Sequence, residues 1–510
     1  AAIIKILVNR GYDTEEKIKR FLTNDVIYLQ NPFGFKDMPT AVELLKKHIE
    51  QKNNILIWGD RDVDGITSTC LMLNTLTTLG VNAEYYIPQT EGYGLHKNVL
   101  EKYIGRIKLV VTVDCGISAY DEIKYLKDNN IDVIVTDHHE PNLDIVQKIR
   151  SLSVPVINPY LPEYSDFKDL AGVGVVLKFV TALVMSYDKN YYNKEFVVLD
   201  IETTGLSPFS DEICEIAAVK IKNFLPQAEV FHTLVKPKNP IPYEVSKIHG
   251  ITNDMVENAP SIEEVLPKLI EYIGTNTVVI HNVDFDLSFI NYQAKKLGLP
   301  QIPLAQTVDT LKIAREYFVT GSRALNSLAT DLVFRSKPTH RALDDVYATI
   351  ELFYYLYLIS NPRLRIFIEN ALSYACLGTI SDLVPLNEDN RIIVKKAIAN
   401  ICTNLLPPFK TIISYLQKTL NKSEIDTETI SFYIVPLLNS AGRMQEVNTA
   451  VKFLLSQNKT EAEQLFNKLI EINNKRRALQ DINMAVFYEL VTQQCNLKED
   501  IILLVVAENI

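Results

Sequence analysis

Gly59-Asp60-Arg61-Asp62-Val63-Asp64-Gly65 is the stretch from which the rest of this chain can be read. It places carboxylates on every second residue between glycines that free the backbone to curl, so several oxygens can converge on one point, as hard divalent cations require. By itself such a run is as readily an acidic turn. Its setting decides. The run follows an apolar stretch, Ile55 to Trp58, and two more such stretches, Leu109 to Val113 and Val133 to Thr136, end in Asp114 and in Asp137-His138-His139. Short apolar runs with amphipathic stretches after each predict buried parallel strands. In such sheets ligands bind outside the carboxyl ends of the strands, and all three acidic motifs fall there.

Further along, a helical pattern covers Val175 to Met185, and the polar, aromatic linker Asp188 to Lys194 breaks it. A second α/β unit opens at Phe196 to Leu199. Strands are expected at Ile213 to Ile221 and Ala228 to Val235, and helices at Ile262 to Ile273, Asp309 to Tyr317 and Leu343 to Leu358, with Asn361-Pro362 closing the unit. A second set of candidate metal ligands lies inside it: Asp200-Ile201-Glu202 at a strand end, His281 to Asp286, and His340 to Asp345. Alternate strand residues point to one face, so Asp200 and Glu202 can share a cation. The chain then reads as mostly helical, with a strand-like Thr379 to Val384 and a long charged helix at Thr460 to Glu489. Ile501 to Val506 reads as one more strand with four residues after it, which suggests truncation.

The 510 residues allow about three domains at ordinary domain size. Hydrophobic residues at 47% and charged residues at 22% are globular values, so disorder is not the expectation. The six scattered cysteines form no C-x-x-C pair, which suits a reducing cytosol without disulfides or zinc ribbons. No signal-peptide pattern and no apolar run of roughly 18 residues is present, so a cytoplasmic protein without a membrane span is expected. A net charge of -10 argues against a polyanionic partner, but many of the acids belong to the two ligand sets, where cations would reverse the local sign. Lys395-Lys396, Arg443 and Lys475-Arg476-Arg477 remain as candidate cationic surface. Gly172-Val173-Gly174 lacks a following Gly-Lys-Ser/Thr and is not a P-loop.

The acidic loop with Ile66-Thr67-Ser68-Thr69, Asp114-Cys115-Gly116, Thr136 to Glu140, Asn158-Pro159, Leu170 to Gly174, Gly378 to Asp382 and Leu438 to Met444 resembles the DHH phosphoesterases, specifically RecJ single-strand exonucleases, over about residues 1 to 186 and 363 to 510. The resemblance implies that Asp62, Asp64, Asp114, His138 and Asp382 ligate two metals. It implies that Asp60 and His139 support the site and the scissile phosphate, with Asn439 and Arg443 near substrate. One departure is the short Ile87 to Gly94 loop, which lacks the basic residue usual there.

The inner set resembles the DEDDh exonucleases, the family of the epsilon proofreading subunit, over about residues 195 to 357. Carried over, Asp200, Glu202, Asp286 and Asp345 hold two metals and His340 is the general base, with Thr203, His249 and Asn282 on the substrate side. The family's spacing favours Asp345 over Asp344.

Together the resemblances imply an α/β protein: a DHH parallel-sheet domain interrupted by an RNase H-like exonuclease domain and followed by a mainly helical segment. The expected boundaries are 1–190, 195–358, 359–490, and 491–510 as the start of a DHH-associated C-terminal domain. The implied activity is exonuclease digestion of single-stranded DNA, 5′→3′ at the outer centre and 3′→5′ at the inner, in DNA repair and recombination, with two Mn(II) or Mg(II) ions per centre. The rivals are a DHH oligoribonuclease acting on short RNA and a non-catalytic RecJ-related replication scaffold. Protein partners are not legible. With the C-terminal domain absent, 3′→5′ release is expected to dominate.

Overall fold

A computed structural model describes residues 2–164, 166–401, 406–420 and 425–494. They divide into two compact units, one of residues 34–182 with 367 onward, the other of residues 1–33 with 183–366. Among the described residues no helix is long and apolar enough to cross a membrane.

The first unit is built on a five-stranded sheet of β1 (Ile55–Trp58), β2 (Glu84–Tyr86), β3 (Leu109–Val113), β4 (Asp132–Thr136) and β5 (Val156–Ile157), in the order β2-β1-β3-β4-β5. Every pairing is parallel. All residues of β1 and β3 are buried, which is why those strands read as unbroken apolar runs. One layer of the core packs Leu56, Trp58, Val110, Val133 and Val135 against Ile123, Leu126, Val146 and Ile149. Helices Val63–Thr78 and Gly172–Met185 start beside the carboxyl ends of the strands, and helix Lys459–Gln494 continues the helical part expected there.

One element differs from the sequence reading. Thr379 to Ser381 is not a strand but the end of helix Pro362–Ser381, and Leu383 follows in the left-handed region at φ 58°. The β-branched run favours a strand only where a pleated neighbour exists. Here Gly378 instead brings the helix so close to helix Val63–Thr78 that an added Cβ would lie 2.5 Å from Thr67 Oγ1 and 2.6 Å from Asp64 Oδ1. The strand expected at Ile501 to Val506 lies outside the described residues.

The second unit has a mixed sheet of β6 (Glu195–Thr203), β7 (Ile213–Lys222), β8 (Leu225–Leu234), β9 (Thr277–Ile280) and β10 (Thr307–Asp309), ordered β10-β9-β6-β7-β8. The first three form an antiparallel meander, and β9 and β10 add in parallel. Val197, Leu199, Ile216 and Val278 pack under Leu266, Leu269, Phe289 and Ile290 from helices Ile262–Ile273 and Val283–Lys296. Residues 1–33 group with this unit, not with the parallel sheet as the 1–190 boundary has it. Val26, Ile27, Leu29 and Phe33 are buried, and Tyr28 sets its ring 5.7 Å from that of Tyr355 on helix Ala342–Ser360. Asp25 pairs with Arg365 at 3.2 Å and Glu16 with Lys337 at 2.7 Å. These partners lie far along the chain, where no local pattern announces them.

Candidate active sites

In the parallel-sheet unit, each aspartate of the glycine-flanked loop has its own placement. Asp62 caps helix Val63–Thr78, accepting from Gly65 N at 2.9 Å. Asp64, one turn in and buried, accepts from Gly172 N at 2.6 Å and Val173 N at 2.9 Å, so a second helix N-terminus faces its negative charge. Asp114 leaves β3 at φ 60°, and a Cβ on Gly172 would meet its Oδ1 at 2.4 Å. His138 Nε2 stands 3.2 Å from Asp114 Oδ1 and 3.8 Å from Asp64 Oδ2, with Nδ1 3.7 Å from Asp382 Oδ2. Asp114 Oδ1 is nonetheless buried without a hydrogen bond. Three overlapping sets, Asp60-Asp62-Asp114, Asp114-His138-His139 and Asp64-His138-Asp382, each bring ligand atoms within 4.8 Å of one another.

Burial first, and then the neighbouring carboxylates, push Asp64 and Asp114 well above the usual carboxylate range. Burial, then Asp62, raises Asp60. Burial lowers His138. Asp137 serves a different purpose. Wholly buried, it accepts from Ile117 N at 2.9 Å, His138 N at 2.7 Å and His139 Nδ1 at 2.7 Å, and that last bond is the main reason His139 is raised. Tyr93 Oη contacts the same His139 nitrogen at 3.1 Å. Asn439 Oδ1 accepts from Val63 N at 3.1 Å, and a Cβ on Gly442 would sit 2.1 Å from the Arg61 carbonyl, so helix Val435–Arg443 presses directly on the acidic loop. Arg443 is exposed beside it, without an ion pair among the described residues. A cavity of about 350 Å³ opens at His138 and Asp382, bounded by Tyr160, Leu170 and Pro385.

In the mixed-sheet unit, Asp200 and Glu202 occupy alternate positions of β6, and Asp286 and Asp345 come from the first turns of two helices. Asp286 Oδ1 accepts from Ile201 N at 3.2 Å. Asp345 Oδ1 accepts from Thr339 N at 3.0 Å and His340 N at 3.2 Å. Glu202, His340 and Asp345 bring ligand atoms within 4.8 Å of one another. Burial and then the neighbouring acids push Asp200 well up. Burial, then Asp345, raises Glu202 to about 8, and burial likewise lifts Asp286 to about 8. Four acids that raise one another's affinity for protons fit a divalent cation better than open water.

His340 is exposed at φ 59°, with Nε2 2.9 Å from Asn326 Nδ2. Asn282 is exposed at φ 79°, ahead of the Asp286 helix. Thr203 is buried, its hydroxyl donating to Gly205 O at 2.6 Å, so it holds its own turn. His249 departs from the substrate-side expectation. The residue is 3% exposed, Nδ1 accepts from Ile251 N at 3.0 Å, and Nε2 lies 3.9 Å from Cys214 Sγ, a packing position inside the fold. Asp344 faces Thr339 Oγ1 at 2.5 Å, and His281 is bonded to Thr310 Oγ1 and Arg323 O, away from the cluster.

Sequence reading missed Glu215. It stands directly across the ladder from Glu202 and is fully buried. Oε1 meets Arg341 Nη2 at 2.5 Å and His232 Nε2 at 2.9 Å, and Oε2 accepts from Arg341 Nε at 3.0 Å and Ala342 N at 2.9 Å. These bonds, Arg341 first, hold its carboxyl below the usual range despite burial. The available signal was a lone charge in the apolar run Ile213 to Val219.

Fold and sites define an α/β protein with two separate acidic centres at strand ends, one on an all-parallel sheet and one on a mixed sheet. Residues 54–206 match the DHH family, N-terminal domain, and residues 197–353 match the Exonuclease family model. Over 186 residues the chain is 39% identical to the single-stranded-DNA-specific exonuclease RecJ of Bacillus subtilis, a match covering 36% of this chain and 23% of that protein. It is 47% identical over 161 residues to the PolC-type DNA polymerase III of Caldanaerobacter subterraneus, covering 31% of this chain and 11% of that one. It is also 38% identical over 170 residues to the DNA polymerase III subunit epsilon of Aquifex aeolicus, covering 32% of this chain and 81% of that one. The chain thus spans less than a quarter of the first two relatives. It belongs to the exonuclease family of the epsilon subunit, and it carries that domain together with a RecJ-type DHH domain.

Proposed function

We propose that the chain is a divalent-metal-dependent exonuclease acting on single-stranded DNA at two centres, 5′→3′ at the DHH centre and 3′→5′ at the epsilon-like centre, in cytoplasmic DNA repair and recombination. The observation that carries it is the double convergence of buried carboxylates, each group gathering negative charge that a divalent cation would neutralise.

The donor sets fit Mn(II) or Mg(II), two per centre. Carboxylate oxygens with one imidazole at the DHH centre suit Mn(II) as well as Mg(II), and the unbonded, buried Asp114 Oδ1 is an acceptor waiting for a cation. At that centre Asp62, Asp64, Asp114, His138 and Asp382 would hold the ions. Asp200, Glu202, Asp286 and Asp345 would hold them at the other. When bound, such ions lower the pKa of water and neutralise the attacked phosphate. The chain's own contribution is placement. His340 takes the proton of the attacking water, His139 is fixed by Asp137 toward the scissile phosphate, and exposed Arg443 and Asn282 contact the strand.

The test uses single strands of DNA and of RNA, labelled at either end, with the purified chain in Mn(II), Mg(II) or chelator. Mononucleotide release from both DNA ends, lost in chelator, is expected. Release from RNA alone would favour the oligoribonuclease reading, and no release with any metal would favour a scaffold.

A further inference from the structure

The loop that carries His340 is tied down on both sides of that residue. Thr339 N and His340 N donate to Asp345, while Arg341 and Ala342 N donate to Glu215. Between these anchors His340 adopts φ 59°, a left-handed conformation uncommon for a residue with a Cβ. Such strain persists only where surrounding structure over-determines it. Glu215 is the strongest of the anchors. It is buried and takes the Arg341 guanidinium through two nitrogens, a planar fork that fixes direction as well as distance. It also faces Glu202 across the β6–β7 ladder, so the same residue references the loop to the strand bearing the candidate metal ligands.

We propose that Glu215 and Arg341 are positioning residues for the 3′→5′ centre: the clamp between them holds His340 over Glu202 and Asp345. This rests on the exonuclease reading of that centre. Neither residue is assigned a contact with metal or strand. Lysine at 341 would keep the charge but cannot reproduce the two-nitrogen grip. Glutamine at 215 would keep shape and one acceptor oxygen while losing the charge.

The experiment measures kcat and KM on 3′-labelled single strands for the full chain, Glu215→Gln, Arg341→Lys, Arg341→Ala and the double variant Glu215→Gln/Arg341→Ala, with thermal melts and 5′ release alongside. A misplaced general base leaves strand affinity intact, so kcat is expected to fall by roughly 100-fold in Arg341→Ala while KM changes little. Arg341→Lys should recover part of that loss. The double variant should be no worse than the poorer single, because both remove one clamp. Release from 5′ ends should be unchanged. A raised KM at constant kcat would mean that Arg341 contacts the strand. A lowered melt with normal kcat at a temperature where the variant is folded would make the pair only structural. Either result overturns the proposal. If the parent chain itself releases nothing from 3′ ends, it is the exonuclease reading that fails, a result distinct from active variants on an active parent.

Discussion

Glu202 and Asp286 carry a pH consequence whose sign can be worked out. Both are raised to about 8, from ordinary values of 4.5 and 3.8 in an unfolded chain. Folding therefore favours their protonated forms. The associated stability is fully present below the unfolded values and is lost as pH rises through the folded ones. We expect the melting temperature of metal-free protein to fall from about pH 4.5 to about pH 8, and saturating Mn(II) to flatten that slope by replacing the protons. Asp286→Asn should flatten it without metal. A metal-free melt that rises across the window would show that the acids are not crowded in this way. At this scale the candidate acids Asp60, Asp62, Asp64, Asp114 and Asp200 were legible because they interrupt or end an apolar strand pattern, whereas the ligand roles came from the family resemblance. Glu215 was not, since its partner Arg341 lies 126 residues away, and neither was the inward turn of His249, decided by packing against Cys214.

At the scale of elements, two glycines let helices approach the acidic loop of the DHH unit more closely than any Cβ allows. Gly378 sits over Asp64 and Thr67, and Gly442 over the Arg61 carbonyl. The sequence motifs containing them were visible, but that closeness is why the β-branched run after Gly378 ends a helix and forms no strand. A methyl group at 378 must push the helix outward, and Asp382 moves with it, away from His138. We expect Gly378→Ala to cost roughly 1–3 kcal/mol and to cut release from 5′ ends severely while leaving 3′ release intact. Gly442→Ala should do the same by shifting the Arg61 backbone. Gly80→Ala is the control for backbone strain without crowding, since φ is 76° there and nothing lies within 4 Å. Equal loss of 5′ release in Gly80→Ala and Gly378→Ala would mean that close approach is not what matters.

For the whole molecule, the grouping of residues 1–33 with the inserted exonuclease changes what the insertion is. The sequence presents a domain that begins near residue 195 and ends near 357. The fold gives it an additional N-terminal piece, in which Val26, Ile27, Leu29 and Phe33 are buried and the rings of Tyr28 and Phe33 meet those of Tyr355 and Tyr192. Burying each such side chain stabilises by about 1.5–3 kcal/mol, enough together to decide whether the exonuclease unit stays folded on warming. Deleting residues 1–33 should therefore lower the melt of that unit and weaken 3′ release at elevated temperature. The candidate ligands Asp200, Glu202, Asp286 and Asp345 are untouched, so activity should return on cooling. The candidate ligands of the DHH centre all lie in the other unit, so 5′ release should persist throughout, just as Asp200→Ala with Glu202→Ala should remove 3′ release alone. Phe33→Ala offers the same test without truncation. Conversely, deleting 195–357 while keeping 26–33 would remove Tyr355, the ring partner of Tyr28, so the cleaner excision removes both pieces. Unchanged 3′ release and an unchanged melt without residues 1–33 would show that the segment is packed there without supporting the unit.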